Sequence, residues 1–134
     1  MQGNHMRLLF AAVAALSVSA SQATAEFAIS FEWGDIPRCT TGRPNIVGSP
    51  AFVLSDVPAG TTSVEFRLKD RDAPNYDHGG AKVKIGRDGQ MPFGAFRYKS
   101  PCPPGGTHTY VWTATARAGN KVLARATATR KYPE

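Results

Sequence analysis

Apolar side chains recur at every second position in several separate stretches of this chain, and no stretch sustains the spacing of an amphipathic helix. Phe27, Ile29, Phe31 and Trp33 alternate with small or polar residues, Val64, Phe66 and Leu68 with Glu65, Arg67 and Lys69, and Ala81, Val83 and Ile85 with Lys82 and Lys84. The longest pattern runs from Thr107 to Arg117 and sets His108, Tyr110, Trp112, Ala114 and Ala116 on one face, and a Thr- and Ala-rich stretch from Lys121 to Tyr132 follows it. Successive side chains of a strand point to opposite faces, so each stretch reads as a strand with one face for a core. Ala51 to Ser55 is a shorter apolar run. Turn signals lie between them: Pro58-Ala59-Gly60, Ala73-Pro74-Asn75, Arg87-Asp88-Gly89, Pro101 to Gly106 and Ala118-Gly119-Asn120. Six or more short strands punctuated in this way predict an all-β chain, an antiparallel β-sandwich with little or no helix.

The N-terminus is excluded from that fold. Met6 to Ala25 reads MRLLFAAVAALSVSASQATA, a basic residue, an apolar run from Leu8 to Val18, then a polar stretch ending in Ala23-Thr24-Ala25. Those are the three parts of a secretory signal peptide with small residues at its cleavage site. The apolar run is too short to span a bilayer, which needs about 20 residues. The expectation is a leader over residues 1–25, cleavage before Glu26, and a single domain over 26–134 in a secreted or periplasmic protein. No transmembrane segment is expected in the mature chain. Of the 16 Lys and Arg only Arg7 falls in the leader, so residues 26–134 keep a net charge of +5 against 10 acids. That balance favours anionic partners without naming one. Export argues against nucleic acid as the partner.

An oxidising compartment permits a disulfide between Cys39 and Cys102, the only two cysteines, although two buried thiols satisfy the same sequence. Two cysteines so far apart make a poor zinc site. No phosphate loop, dinucleotide fingerprint or G-x-S-x-G elbow is present, and neither a metal nor another cofactor is expected.

Two constellations carry chemistry. Asp70 continues the row Val64, Phe66, Leu68, so it ends a core-facing row, where a carboxylate finds partners or lines a pocket. The alternative is that Asp70, Asp72 and Pro74 simply make a turn. His108 and Tyr110 share a face with Trp112 just after the Pro/Gly-rich loop Pro101 to Gly106. Such a loop suits the rim of a small-ligand site, with His and Tyr as hydrogen-bond donors. The alternative is an aromatic core stripe in which His108 is only a satisfied core residue. His78 stands in a loop before Gly79-Gly80 and says nothing by itself.

In order along the chain, these pieces resemble the phosphatidylethanolamine-binding protein family, also called Raf-kinase-inhibitor-like proteins, and its bacterial branch in particular. Gly48-Ser49-Pro50-Ala51-Phe52 and Asp56 to Ser63 are similar to the family's SPAL…VPEGTKS lead-in, and Asp70-Arg71-Asp72-Ala73-Pro74 to its DPDAP motif, with His78 in the place of the histidine that follows. Ser100 to Tyr110 is similar to GPCPPGGxHRY, and Val122 to Tyr132 to the last strand. The resemblance spans about Asp35 to Tyr132.

It implies a β-sandwich that is not an enzyme and binds a small anionic ligand, of the phosphate or phospholipid-headgroup type. Carried over, the pocket is Asp70, His78, His108 and Tyr110, with Pro103 and Pro104 shaping its wall. The tight turn of the motif suits a cis peptide at Ala73–Pro74. Three departures stand out: Arg71 replaces a proline, Thr109 the family's arginine, and Gly79 an aromatic. The stretches from His78 to Tyr98 and around Gly119-Asn120 are short for the family, which implies missing helical elements and a shallower, more open pocket. The second reading is a protein-interaction or adhesion module with a relic pocket and a protein partner; a third has His108 and Asp70 as an acid and base pair.

Overall fold

The computed structural model describes residue 3, residues 12–19 and residues 25–134; most of the expected leader lies outside them. Among the described residues no helix is long and apolar enough to cross a membrane. Nine strands follow in order: β1 (Ala28–Glu32), β2 (Ile46–Gly48), β3 (Ala51–Ser55), β4 (Ser63–Asp70), β5 (Gly80–Val83), β6 (Gly89–Met91), β7 (Arg97–Lys99), β8 (His108–Ala118) and β9 (Lys121–Tyr132). They form a three-stranded sheet β1-β3-β6, a four-stranded sheet β5-β4-β8-β9 and the two-stranded ribbon β2-β7, with every pairing antiparallel.

Alternation sets which face is dry. Along β4 the side chains of Val64, Phe66, Leu68 and Asp70 are buried while Arg67 and Lys69 are exposed. On β8, Tyr110, Trp112, Ala114 and Ala116 point the same way as that row. The three-stranded sheet answers with Ile29, Phe31, Phe52, Leu54 and Met91, and the two inner faces share one core. Phe52 is its hinge: its ring lies 4.7 Å from Phe66, 5.3 Å from Trp112 and 5.9 Å from Phe31, joining both sheets. Each such aromatic pair adds about 0.5–1.5 kcal/mol beyond the area it buries. At one corner β1 lies against β9, where Trp33 Nε1 donates to the Lys131 carbonyl and Arg130 Nε to that of Phe31.

Three strands escape the period-two signal, because β2, β6 and β7 are three residues long and each sends one residue, Val47, Met91 or Tyr98, fully into the core. One inward residue makes no alternation. Ile85 was expected to extend β5, but that strand ends at Val83 and Ile85 packs on the core from the loop. Gly80, at the start of β5, has φ +151°, and a Cβ there would meet the Phe66 carbonyl oxygen of β4 at 1.7 Å. Only glycine allows that approach.

The disulfide is formed: Cys39 and Cys102 are bonded across a sequence separation of 63 residues. The cis peptide expected at Ala73–Pro74 is not found; the bond that is cis is Tyr132–Pro133. Two consecutive turns explain this, closed by Ala73 N–H on the Asp70 carbonyl and by Tyr76 N–H on that of Ala73. Pro74 is then the second residue of its turn, where a trans proline supplies the needed φ, whereas a cis proline belongs at the third.

Candidate functional site

The end of β4 and the start of β8 lie side by side, with Asp70 opposite Tyr110 in the register, which places His108 diagonally across from the carboxylate. Nδ1 of His108 lies 2.6 Å from Oδ2 of Asp70. The other carboxylate oxygen accepts the Asp72 amide at 2.8 Å. Asp72 in turn accepts the Thr109 amide, and the Arg71 amide donates to the Thr109 carbonyl, so the turn after β4 is clamped to the first residues of β8. The Asp70 side chain is 5% exposed and that of His108 19%. With Nδ1 held by Asp70, Nε2 carries the remaining hydrogen-bonding capacity of the ring.

Tyr110 is fully buried, and its hydroxyl lies near the Asp70 carboxylate and the Cys102 backbone without a well-formed hydrogen bond to either. Burial first, then the neighbouring Asp70 carboxylate, pushes its ionisation well above the usual phenol range. His78 is 3% exposed and packs edge-on to Tyr110, ring centroids 5.6 Å apart, with Nδ1 donating to the Lys99 carbonyl at 2.8 Å. Burial pulls its pKa below the ordinary 6.5, against opposing pulls from that hydrogen bond and from Asp70. The structure therefore gathers Asp70, His108, Tyr110 and His78 at one end of the four-stranded sheet, His108 as the more accessible histidine and His78 behind Tyr110.

Of the two prolines, Pro103 is fully buried and Pro104 is exposed, lying over Gly42. The disulfide carries this loop, and the Thr41 amide donates to Cys102 Sγ. Among the described residues, clefts of about 300–490 Å3 open elsewhere on the surface, and the five best formed are not lined by Asp70 or His108.

Donor atoms of Asp70, Asp72 and His108 lie within 4.8 Å of one another, a grouping a cation would accept. Their hydrogen bonds to backbone amides and to one another already give these acids a structural role. The residue that sequence reasoning left as a turn former is Asp72, whose partner lies 37 residues away, beyond the reach of any local pattern.

No protein-family model matches the sequence, and no curated protein matches it. Among solved structures, the chain is similar in fold to a Chlamydia trachomatis protein provisionally assigned as a phosphatidylethanolamine-binding protein homologue. The TM-score is 0.60 at 18% identity, and the match covers 83% of this chain and 99% of that one. At that identity the likeness is one of fold.

Proposed function

We propose that this chain is an exported binding protein that takes a small anion, of the phosphate or phospholipid-headgroup type, at the His108–Asp70 pair, and that it is not an enzyme. The observation that carries the reading is the 2.6 Å contact between a nearly buried carboxylate and a more accessible imidazole. It orients His108 so that one nitrogen is committed and the other is left for a ligand. Likeness of fold to a protein provisionally assigned to a binding-protein family points the same way.

Two carboxylates beside one imidazole give the site no excess of positive charge, so affinity rests on the hydrogen bonds that the oriented ring offers. The test is a titration of the protein with inorganic phosphate and with phosphoethanolamine, followed through the histidine NMR signals. The expected result is a His108 shift, with affinity reduced about 10- to 100-fold in Asp70→Asn, as for loss of a hydrogen bond to a charged group. Silent His108 signals at millimolar ligand would overturn the reading.

A further inference from the structure

The outer face of the four-stranded sheet concentrates the charge of the molecule. Register and alternation put Lys82 of β5, Glu65, Arg67 and Lys69 of β4, Arg117 of β8, and Arg125 and Lys131 of β9 on this side. Among these strand residues six cations stand against one carboxylate, a balance of +5 that equals the net charge of residues 26–134, and Asp77 of the following loop adds one acid beside Arg67. Apart from these strand residues, the rest of the molecule is balanced.

Two of the six are engaged locally, Arg67 by Asp77 at 2.9 Å and Arg117 by Glu65 at 3.7 Å. Lys69, Lys82, Arg125 and Lys131 are exposed and enter no ion pair among the described residues. The register fixes how these four are spread. Lys82, Glu65, Thr115 and Arg125 form one row across the sheet, so the two cations stand about 14 Å apart at the usual strand spacing. Lys69 stands four residues further along β4 and Lys131 six further along β9, about 13 and 20 Å from that row. Between them lie Val111 and Thr113 on β8, Thr127 and Thr129 on β9, and on β4 Arg67, whose charge Asp77 meets.

We propose that this face is a docking surface for an anionic lipid bilayer, a function separate from the His108 site. Four free cations spread both across and along the strands meet a two-dimensional array of anions together, whereas a linear polyanion engages cations set in a line. Each Lys or Arg near an anionic membrane surface adds to binding, and the attraction is screened by salt. Tyr76, 39% exposed beside Arg67 and Lys69, lines a cleft of about 390 Å3 on this face together with Thr113. An amphipathic ring at the rim suits headgroup depth.

The test is flotation of the protein with vesicles of phosphatidylcholine alone and of phosphatidylcholine with about 30% phosphatidylglycerol, at low and high salt. Binding is expected only to the anionic vesicles, lost at high salt, and weakened about 100-fold or more in the triple variant Lys69→Glu, Arg125→Glu, Lys131→Glu. The matched variant Arg38→Glu, Arg43→Glu, Arg87→Glu has the same net charge with the changes placed elsewhere, and retains binding. A Gln version of the face triple guards against misfolding and is weakened to a lesser degree. Equal loss in the face and control triples, or no preference for anionic vesicles, overturns the proposal. So does retention on immobilised heparin without vesicle binding, which assigns the face to a soluble polyanion.

Discussion

At the scale of single residues, the two histidines of the site divide by burial. His108 keeps side-chain exposure and a carboxylate partner; His78 is 3% exposed and donates to a backbone carbonyl. Because burial holds the folded pKa of His78 below 6.5, the unfolded chain takes up a proton more readily than the folded one. Its contribution to stability is therefore whole above about pH 6.5 and is lost as pH falls through the lower folded value. The melting temperature is expected to drop as pH falls below about 6.5. His78→Gln, which keeps a donor for the Lys99 carbonyl without a titrating ring, should flatten that part of the profile. An unchanged slope in the variant would show that other groups set the acid response. Parity along β4 and β8 foretold that Asp70, His108 and Tyr110 turn inward. It did not foretell that the Tyr110 hydroxyl lacks a well-formed hydrogen bond, which depends on what the rest of the chain brings to that spot.

At the scale of elements, the long strands and the loops followed different rules. β3 and β9 run as their patterns predicted, β8 is displaced by one residue, and β4 persists to Asp70, the residue that continues its inward row. The loops that carry the site are held instead by long-range bonds: Cys39–Cys102, the Cys39 amide on the Tyr132 hydroxyl, and Asp72 on Thr109. A crosslink that closes a separation of 63 residues restricts the unfolded chain by about 4 kcal/mol in the entropic model. Urea unfolding of the oxidised protein against a Cys39→Ser, Cys102→Ser variant is expected to show a loss of that order. Because the bond ties the loop before Tyr110 to the segment after Trp33, the variant should also lose ligand affinity. A loss of stability with undiminished affinity would mean that β8 alone positions the site.

At the scale of the whole molecule, the two sheets stand or fall together, because their inner faces meet in one aromatic core. Phe52 is fully buried and touches side chains of both sheets, so Phe52→Ala is expected to cost about 3–5 kcal/mol. Unfolding should remain one transition, coincident by tryptophan fluorescence and far-UV circular dichroism. Two separate transitions would mean that the sheets are independently stable. By itself the sequence determined the all-β class, the long strands and the face each residue takes, since a period of two is a property of the extended backbone. The order of its motifs also brought Asp70, His78, His108 and Tyr110 together as one expected set. Only the tertiary structure decided the short strands, the trans bond at Ala73–Pro74, the bonding of the cysteines and the partner of Asp72. It also decided that most of the basic residues in the later strands share one outer face. Those outcomes depend on pairing and register between segments tens of residues apart, where the free energy lies in contacts that no local pattern encodes.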